Sequence, residues 1–153
     1  MEKTITVYTD GAASGNPGPG GLGVVLKLGK HRKEISEGYS LTTNNRMELL
    51  AVIRALEAIK WNEAHVRIYT DSKYVSEAVN QGWVFEWEKK SFKKKKNPDL
   101  WERFLELYQK HNVEIIWVKG HANIPENERC DTLAVNAYKS GQLKKDTGYE
   151  EIQ

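Results

Sequence analysis

The chain has little of several things, and each shortage narrows the reading. Of its 153 residues only one, Cys130, is a cysteine, so no internal disulfide can form and a reducing compartment is expected. No apolar run approaches the ~20 residues that a membrane helix needs, and Met1-Glu2-Lys3-Thr4 carries no apolar signal core. A soluble, cytoplasmic protein is therefore expected. Net charge is also scarce: 23 Lys and Arg against 21 Asp and Glu leave a formal +2, so the total alone does not announce a nucleic-acid partner. The length suits a single domain spanning residues 1–153, since a chain of this size hides roughly 70% of its unfolded surface. Nothing in it demands more than a monomer.

What is present has a clear order. Residues 4–10 alternate β-branched or aromatic residues with polar ones, the period-2 mark of a strand. Gly11 to Gly21, rich in glycine and proline, predicts a loop, and 22–28 and 33–40 predict two more strands joined as a hairpin. The period then changes. Leu49, Val52, Ile53, Leu56 and Ile59 recur at helical spacing, and Asn45 with Glu48 resembles a capping box. A strand at 66–70, helices over 72–80 and 83–89, a helix from Pro98, a strand at 113–118 and a helix over 127–140 complete the chain. Strand–helix–strand crossovers imply parallel pairing, so the expected fold is α/β: a mixed five-stranded sheet with helices on both faces.

One internal echo points to chemistry. Val7-Tyr8-Thr9-Asp10 and Ile68-Tyr69-Thr70-Asp71 share a pattern that delivers an aspartate at the carboxyl end of each strand, where α/β sheets bind ligands. Glu48 in the first turn of the first helix and Asp131 on the last extend the set. Each acid has an ordinary explanation: Asp10-Gly11 as a turn opener, Glu48 as a capping-box partner, Asp71 as a helix cap, Asp131 as a charge favoured at the start of its helix. Taken together they suggest one carboxylate cluster. Such a cluster needs cations, and all-oxygen ligands suit Mg2+ or Mn2+ rather than zinc. Two ions can clamp an in-line phosphoryl displacement. His121, on the loop Lys119-Gly120-His121-Ala122-Asn123, is placed to relay a proton beside them. The stretch Gly15–Gly21 lacks the Gly-Lys-Ser/Thr ending of a P-loop and reads as tight-turn geometry.

A basic, aromatic block supplies the partner. Lys89, Lys90, Lys93, Lys94, Lys95 and Lys96 crowd together among Trp83, Phe85, Trp87, Phe92 and Trp101. Lysines neutralise phosphates, while the rings either pack the base of a protrusion or stack on bases. Trp101 is expected in the core.

Several motifs resemble those of bacterial type 1 ribonuclease H, in family order across nearly the whole chain. They are Thr9-Asp10-Gly11-Ala12, Gly15–Gly21, Thr42-Thr43-Asn44-Asn45-Arg46-Met47-Glu48-Leu49, Tyr69-Thr70-Asp71-Ser72, Val118-Lys119-Gly120-His121, Pro125–Asp131 and Asp146-Thr147-Gly148-Tyr149. The resemblance implies a ribonuclease H-like fold and hydrolysis of the RNA strand of RNA–DNA hybrids to 5′-phosphate and 3′-hydroxyl ends. It puts Asp10, Glu48, Asp71 and Asp131 on metal-binding positions, with two ions expected alongside substrate, and His121 on a mobile histidine. It puts Asn16, Thr43, Asn44 and Asn45 on hybrid contacts, and Trp83, Trp87 and Lys93–Lys96 on a substrate-binding handle. The handle departs from the family pattern in a shortened loop before Pro98 and in Ser91-Phe92 where a tryptophan is expected. Lys73 stands where the family often has glutamine. The alternatives are a catalytically inactive binding module of the same fold, a DNA nuclease of related fold and a glycosidase. The intact acid set argues against the first, the extent of the motifs against the second, and four acids beside a basic stretch against the third.

Overall fold

The computed structural model describes residues 4–120 and 123–150. Five strands form one sheet in the order β3-β2-β1-β4-β5: β1 Thr4–Ala13, β2 Gly18–Leu28, β3 His31–Thr42, β4 His65–Thr70 and β5 Asn112–Trp117. The hairpin-linked pairs β1/β2 and β2/β3 are antiparallel, whereas β1/β4 and β4/β5 are parallel and reached through helical crossovers. The helices are α1 Asn44–Glu57, α2 Lys73–Asn80, α3 Trp83–Lys89, α4 Pro98–Tyr108, α5 Pro125–Lys139 and the short α6 Thr147–Glu150. The mixed sheet with helices on both faces is thus as expected.

Three strands run well beyond their expected extents, β3 covering His31–Thr42 rather than 33–40. β1 continues to Ala13 and β2 begins at Gly18, so most of the glycine-rich stretch is sheet and the turn is confined to 14–17. Packing explains the glycines. A Cβ on Gly21 would lie 2.1 Å from the carbonyl oxygen of Ala134, one on Gly23 2.2 Å from that of Cys130, and one on Gly38 2.4 Å from that of Ala137. Gly21 pairs with Gly38 and stands two residues from Gly23, so all three open the same sheet face. They make a trough on which the α5 backbone rests. The opposite face, with Val7, Leu22 and Val24 fully buried, packs under α1 through Met47, Leu50 and Ile53.

The first helix also starts differently. Its N-cap is Thr43, whose hydroxyl accepts from the backbone N–H of Arg46 at 3.2 Å. Glu48 is therefore not a capping-box partner, and it sits in the second turn rather than the first. Arg46, 2% exposed, ties this turn to the rest of the chain. Its guanidinium donates to Asp146 (2.8 Å), Asp99 (2.7 Å) and Asn97 (3.1 Å), and Thr42 donates to the same Asp146 at 2.7 Å. A buried arginine so paired costs about 3–5 kcal/mol to break. The motif Asp146–Tyr149 therefore closes the frame that holds the start of α1 against the start of α4.

Candidate active site

The echoed strands are neighbours. Val7 pairs with Ile68 and Tyr8 with Tyr69, whose rings stack at 5.1 Å, so Asp10 and Asp71 leave the parallel ladder side by side. None of the ordinary explanations for the acids survives. Gly11, which donates its N–H to Asp10 at 2.9 Å, belongs to a strand rather than a turn. The cap of α2 is Ser72, which accepts from Val75 N–H at 3.1 Å, leaving Asp71 free of that task. Asp131 is in the middle of α5, away from its first turn.

Glu48 reaches the pair because β1 and α1 touch through their backbones. A Cβ on Gly11 would lie 2.4 Å from Glu48 N, so only glycine lets the strand come this close. One oxygen each from Asp10, Glu48 and Asp71 lies within 4.8 Å of the others. Asp10 pairs with Gly23, the residue beneath α5, so it points to the side from which Asp131 faces it. Asp131 borders the same cavity of about 530 Å³ but is not one of the three acids whose oxygens lie within 4.8 Å of one another. All four acids thus border one cavity, three of them mutually close and Asp131 reaching the group through Asp10.

The electrostatics follow from this crowding. Burial, then the charges of Asp71 and Asp131, push Asp10 up to about 8. Burial, then Asp10 and Asp71, raise Glu48 well above the usual carboxylate range. Glu48 Oε1 and Asp71 Oδ1 are buried without any hydrogen-bond partner. Unpartnered, mutually repelling, all-oxygen donors fit a hard divalent cation, whose charge would offset the repulsion. Around them Trp117, 43% exposed, donates its indole N–H to the Asp71 carbonyl at 3.1 Å and carries the Lys73 ammonium 5.2 Å from its ring centre. Cys130, the single thiol, is buried against the Tyr8 carbonyl, which makes it a packing residue.

The other expected residues divide between two cavities. Asn44 borders the carboxylate cavity, accepts from Ala13 N–H at 2.6 Å, and has its own N–H bound by Asn16 Oδ1 at 2.9 Å. Asn16, Thr43 and Asn45 border a second cleft of about 570 Å³ together with Lys95 and Lys96. Lys93 and Lys94 are exposed nearby but do not line it. Within the protrusion Phe92 is buried and Trp87 packs edge-on to Trp101 at 5.9 Å while carrying the Lys95 ammonium 5.2 Å from its ring centre. These rings anchor the block, and Trp101 is core as expected. Trp83 is 46% exposed. His121 lies outside the described residues. Sequence reasoning missed Asn127, Glu128 and Thr132, which also line the carboxylate cavity. Their spacing from Asp131 along α5 is the signal that could have found them.

Fold and cavity together define an acidic, oxygen-donor site at the parallel strand ends of a mixed α/β sheet. The family described as RNase H matches residues 2–139, and the chain belongs to the ribonuclease H family. It is 54% identical to the ribonuclease H of Syntrophus aciditrophicus over 153 residues, covering 97% of this chain and 88% of that protein. Among solved structures, LC9-RNase H1, a type 1 RNase H with the type 2 active-site motif, is 31% identical with a TM-score of 0.82, over 99% of this chain and 81% of that one. LC11-RNase H1, solved in complex with an RNA/DNA hybrid, is 28% identical with a TM-score of 0.69, over 89% of this chain and 97% of that one. No helix among the described residues is long and apolar enough to cross a membrane.

Proposed function

We propose that this ribonuclease H hydrolyses the RNA strand of RNA–DNA hybrids at the carboxylate cavity, as a monomer in the cytoplasm, with Asp10, Glu48, Asp71 and Asp131 holding Mg2+, or Mn2+ in its place. The observation that carries the reading is the gathering of Asp10, Glu48 and Asp71 oxygens within 4.8 Å, two of the acids with buried, unpartnered oxygens, in a chain of this family. Two divalent ions, when bound with substrate, supply the positive charge that activates the water and stabilises the leaving oxygen. The chain's own residues do the rest. Asp10 and Glu48, both raised by burial and crowding, give up their protons on binding the ions, and Asp71 and Asp131 complete the oxygen donors. Hydrolysis joins the water oxygen to phosphorus and breaks the bond to the 3′ oxygen, which takes a proton. The products are a 5′-phosphate and a 3′-hydroxyl, and His121 moves a proton at this step.

Substrate choice falls to the neighbouring cleft and the protrusion. Asn16, Thr43, Asn44 and Asn45 contact the sugar–phosphate chains and read the 2′-hydroxyl, which distinguishes RNA from DNA. Lys93, Lys94, Lys95 and Lys96 neutralise phosphates, with Trp83 and Trp87 shaping the surface that carries them. The complex of LC11-RNase H1 with a hybrid supports this class of partner.

The test is cleavage of labelled RNA–DNA hybrid, duplex RNA and duplex DNA, each with Mg2+ and with chelator. The expected result is cutting of the hybrid alone, and only with Mg2+. Hybrid binding without cutting would favour the inactive module instead, and cutting in chelator would remove the metal from the account.

A further inference from the structure

Across the described residues three buried side-chain oxygens lack any hydrogen-bond partner: Glu48 Oε1, Asp71 Oδ1 and Asn127 Oδ1. Buried polar atoms in folded proteins are paired with few exceptions, and each exception calls for an explanation such as an ion or a ligand. Two of these belong to the carboxylate cluster. The third belongs to Asn127 on α5, a residue that borders the same cavity. Asn127 stands one helical turn before Asp131, and the residues that border the cavity from this side (Ile124, Asn127, Glu128, Asp131, Thr132) follow the spacing of one helix face. Cys130, Ala134 and Ala137 on another face are buried in the glycine trough of the sheet. The docking of α5 therefore aims Asn127, and its oxygen makes no protein hydrogen bond that would give it a purely structural task.

We infer that Asn127 is a further residue of the cation site, its amide oxygen accepting a hydrogen bond from the hydration shell of a divalent cation held by Asp10, Glu48 and Asp71. This rests on the reading of those three acids as cation ligands. An amide suits the position. Oxygens of three carboxylates already lie within 4.8 Å of one another, so another carboxylate would deepen the repulsion in the cation-free chain. A neutral amide offers an oxygen without adding charge. Partners that contact a metal's own ligands or waters typically change metal affinity or activity by about 10- to 100-fold.

The experiment measures Mn2+ affinity by electron paramagnetic resonance for the parent, Asn127→Ala, Asn127→Asp and Asp10→Asn, with thermal melts of each in chelator. Asn127→Ala is expected to bind Mn2+ about tenfold more weakly, and Asp10→Asn more weakly still. Asn127→Asp, which keeps an oxygen there, is expected to bind at least as tightly as the parent. In chelator Asn127→Ala should melt no lower than the parent, because the oxygen it removes had no partner. Parent-like Mn2+ affinity in Asn127→Ala, beside weakened binding in Asp10→Asn, overturns the role of Asn127 and leaves the carboxylate reading intact. A clear loss of chelator stability in Asn127→Ala also overturns it, since it would mark a structural residue. A parent that binds no Mn2+, or Asp10→Asn binding as the parent does, overturns the carboxylate reading itself.

Discussion

The carboxylate cavity and the lysine-rich protrusion are built on opposite principles. In the cavity, charges of one sign are buried and forced together by the backbone: β1 against β4 in register, Gly11 against α1, α5 in a trough of glycines. In the protrusion, charges of the other sign stand in solvent, and only the aromatic rings beneath them are packed. The first arrangement costs stability in the absence of a counter-ion and is specific in geometry. The second costs little and is specific only in sign. Chemistry is expected from the first and affinity from the second.

Substitutions can break that contrast. Asp10→Asn removes one of three gathered carboxylates and should lower kcat by at least about 10²- to 10³-fold, the cost of losing a preorganised electrostatic group, while hybrid affinity in a binding assay stays close to the parent's. Parent-like turnover would take Asp10 out of the site. Gly23→Ala drives a Cβ to 2.2 Å from the Cys130 carbonyl, so α5 must lift and carry Asp131 with it. A loss of about 1–3 kcal/mol is expected from overpacking, read as a fall in Tm of about 2–4 °C per kcal/mol, together with lost activity. Replacing Lys93–Lys96 by alanine should raise KM and reduce the salt slope of binding by about one for each phosphate no longer neutralised, with kcat unchanged. An unchanged slope would make the protrusion a solvated loop.

Two smaller effects sharpen the electrostatics of the cavity. Asp10 is raised to about 8 in the folded chain against its ordinary value of 3.8. Between those values the unfolded chain loses a proton that the folded chain keeps, so metal-free stability falls as pH rises through this window, and below it the group contributes no difference. Asp10→Asn should therefore melt higher than the parent in chelator at pH 8, with the gap closing towards pH 4. A gap that widens on acidification would contradict the cause assigned to the shift. Ser72→Ala should cost about 1 kcal/mol through the lost cap of α2, whereas Asp71→Asn in chelator should cost nothing. A comparable loss in Asp71→Asn would return that residue to a capping role.

The contrast also decides what is legible in the sequence. The echo ending in Asp10 and Asp71 can be read because strand periodicity and a terminal acid survive in one dimension, and the structure puts the two strands in register. The family motifs add Glu48 and Asp131. The seating of α5 cannot be read. Gly21, Gly23 and Gly38 act through the side chains they lack, so they leave no periodic mark, and the glycine-rich stretch reads as a loop while much of it is β2. The shape of the protrusion is hidden for a related reason. Ser91, Phe92, Lys94 and Asn97 all have positive φ, a conformation usually advertised by glycine. The buried Arg46 node cannot be deduced either, because its partners Asp99 and Asp146 lie 53 and 100 residues away.

The central claim is that Asp10 and Glu48, crowded beside Asp71, are held protonated and ionise to take up a divalent cation. Calorimetric titration of Mg2+ into the parent chain at pH 7, in two buffers of different ionisation enthalpy, measures this directly. Buffer-dependent heats that reveal proton release on binding, and that shrink in Asp10→Asn, are the result expected. Saturable Mg2+ binding with no proton release, or no binding at all, would contradict it.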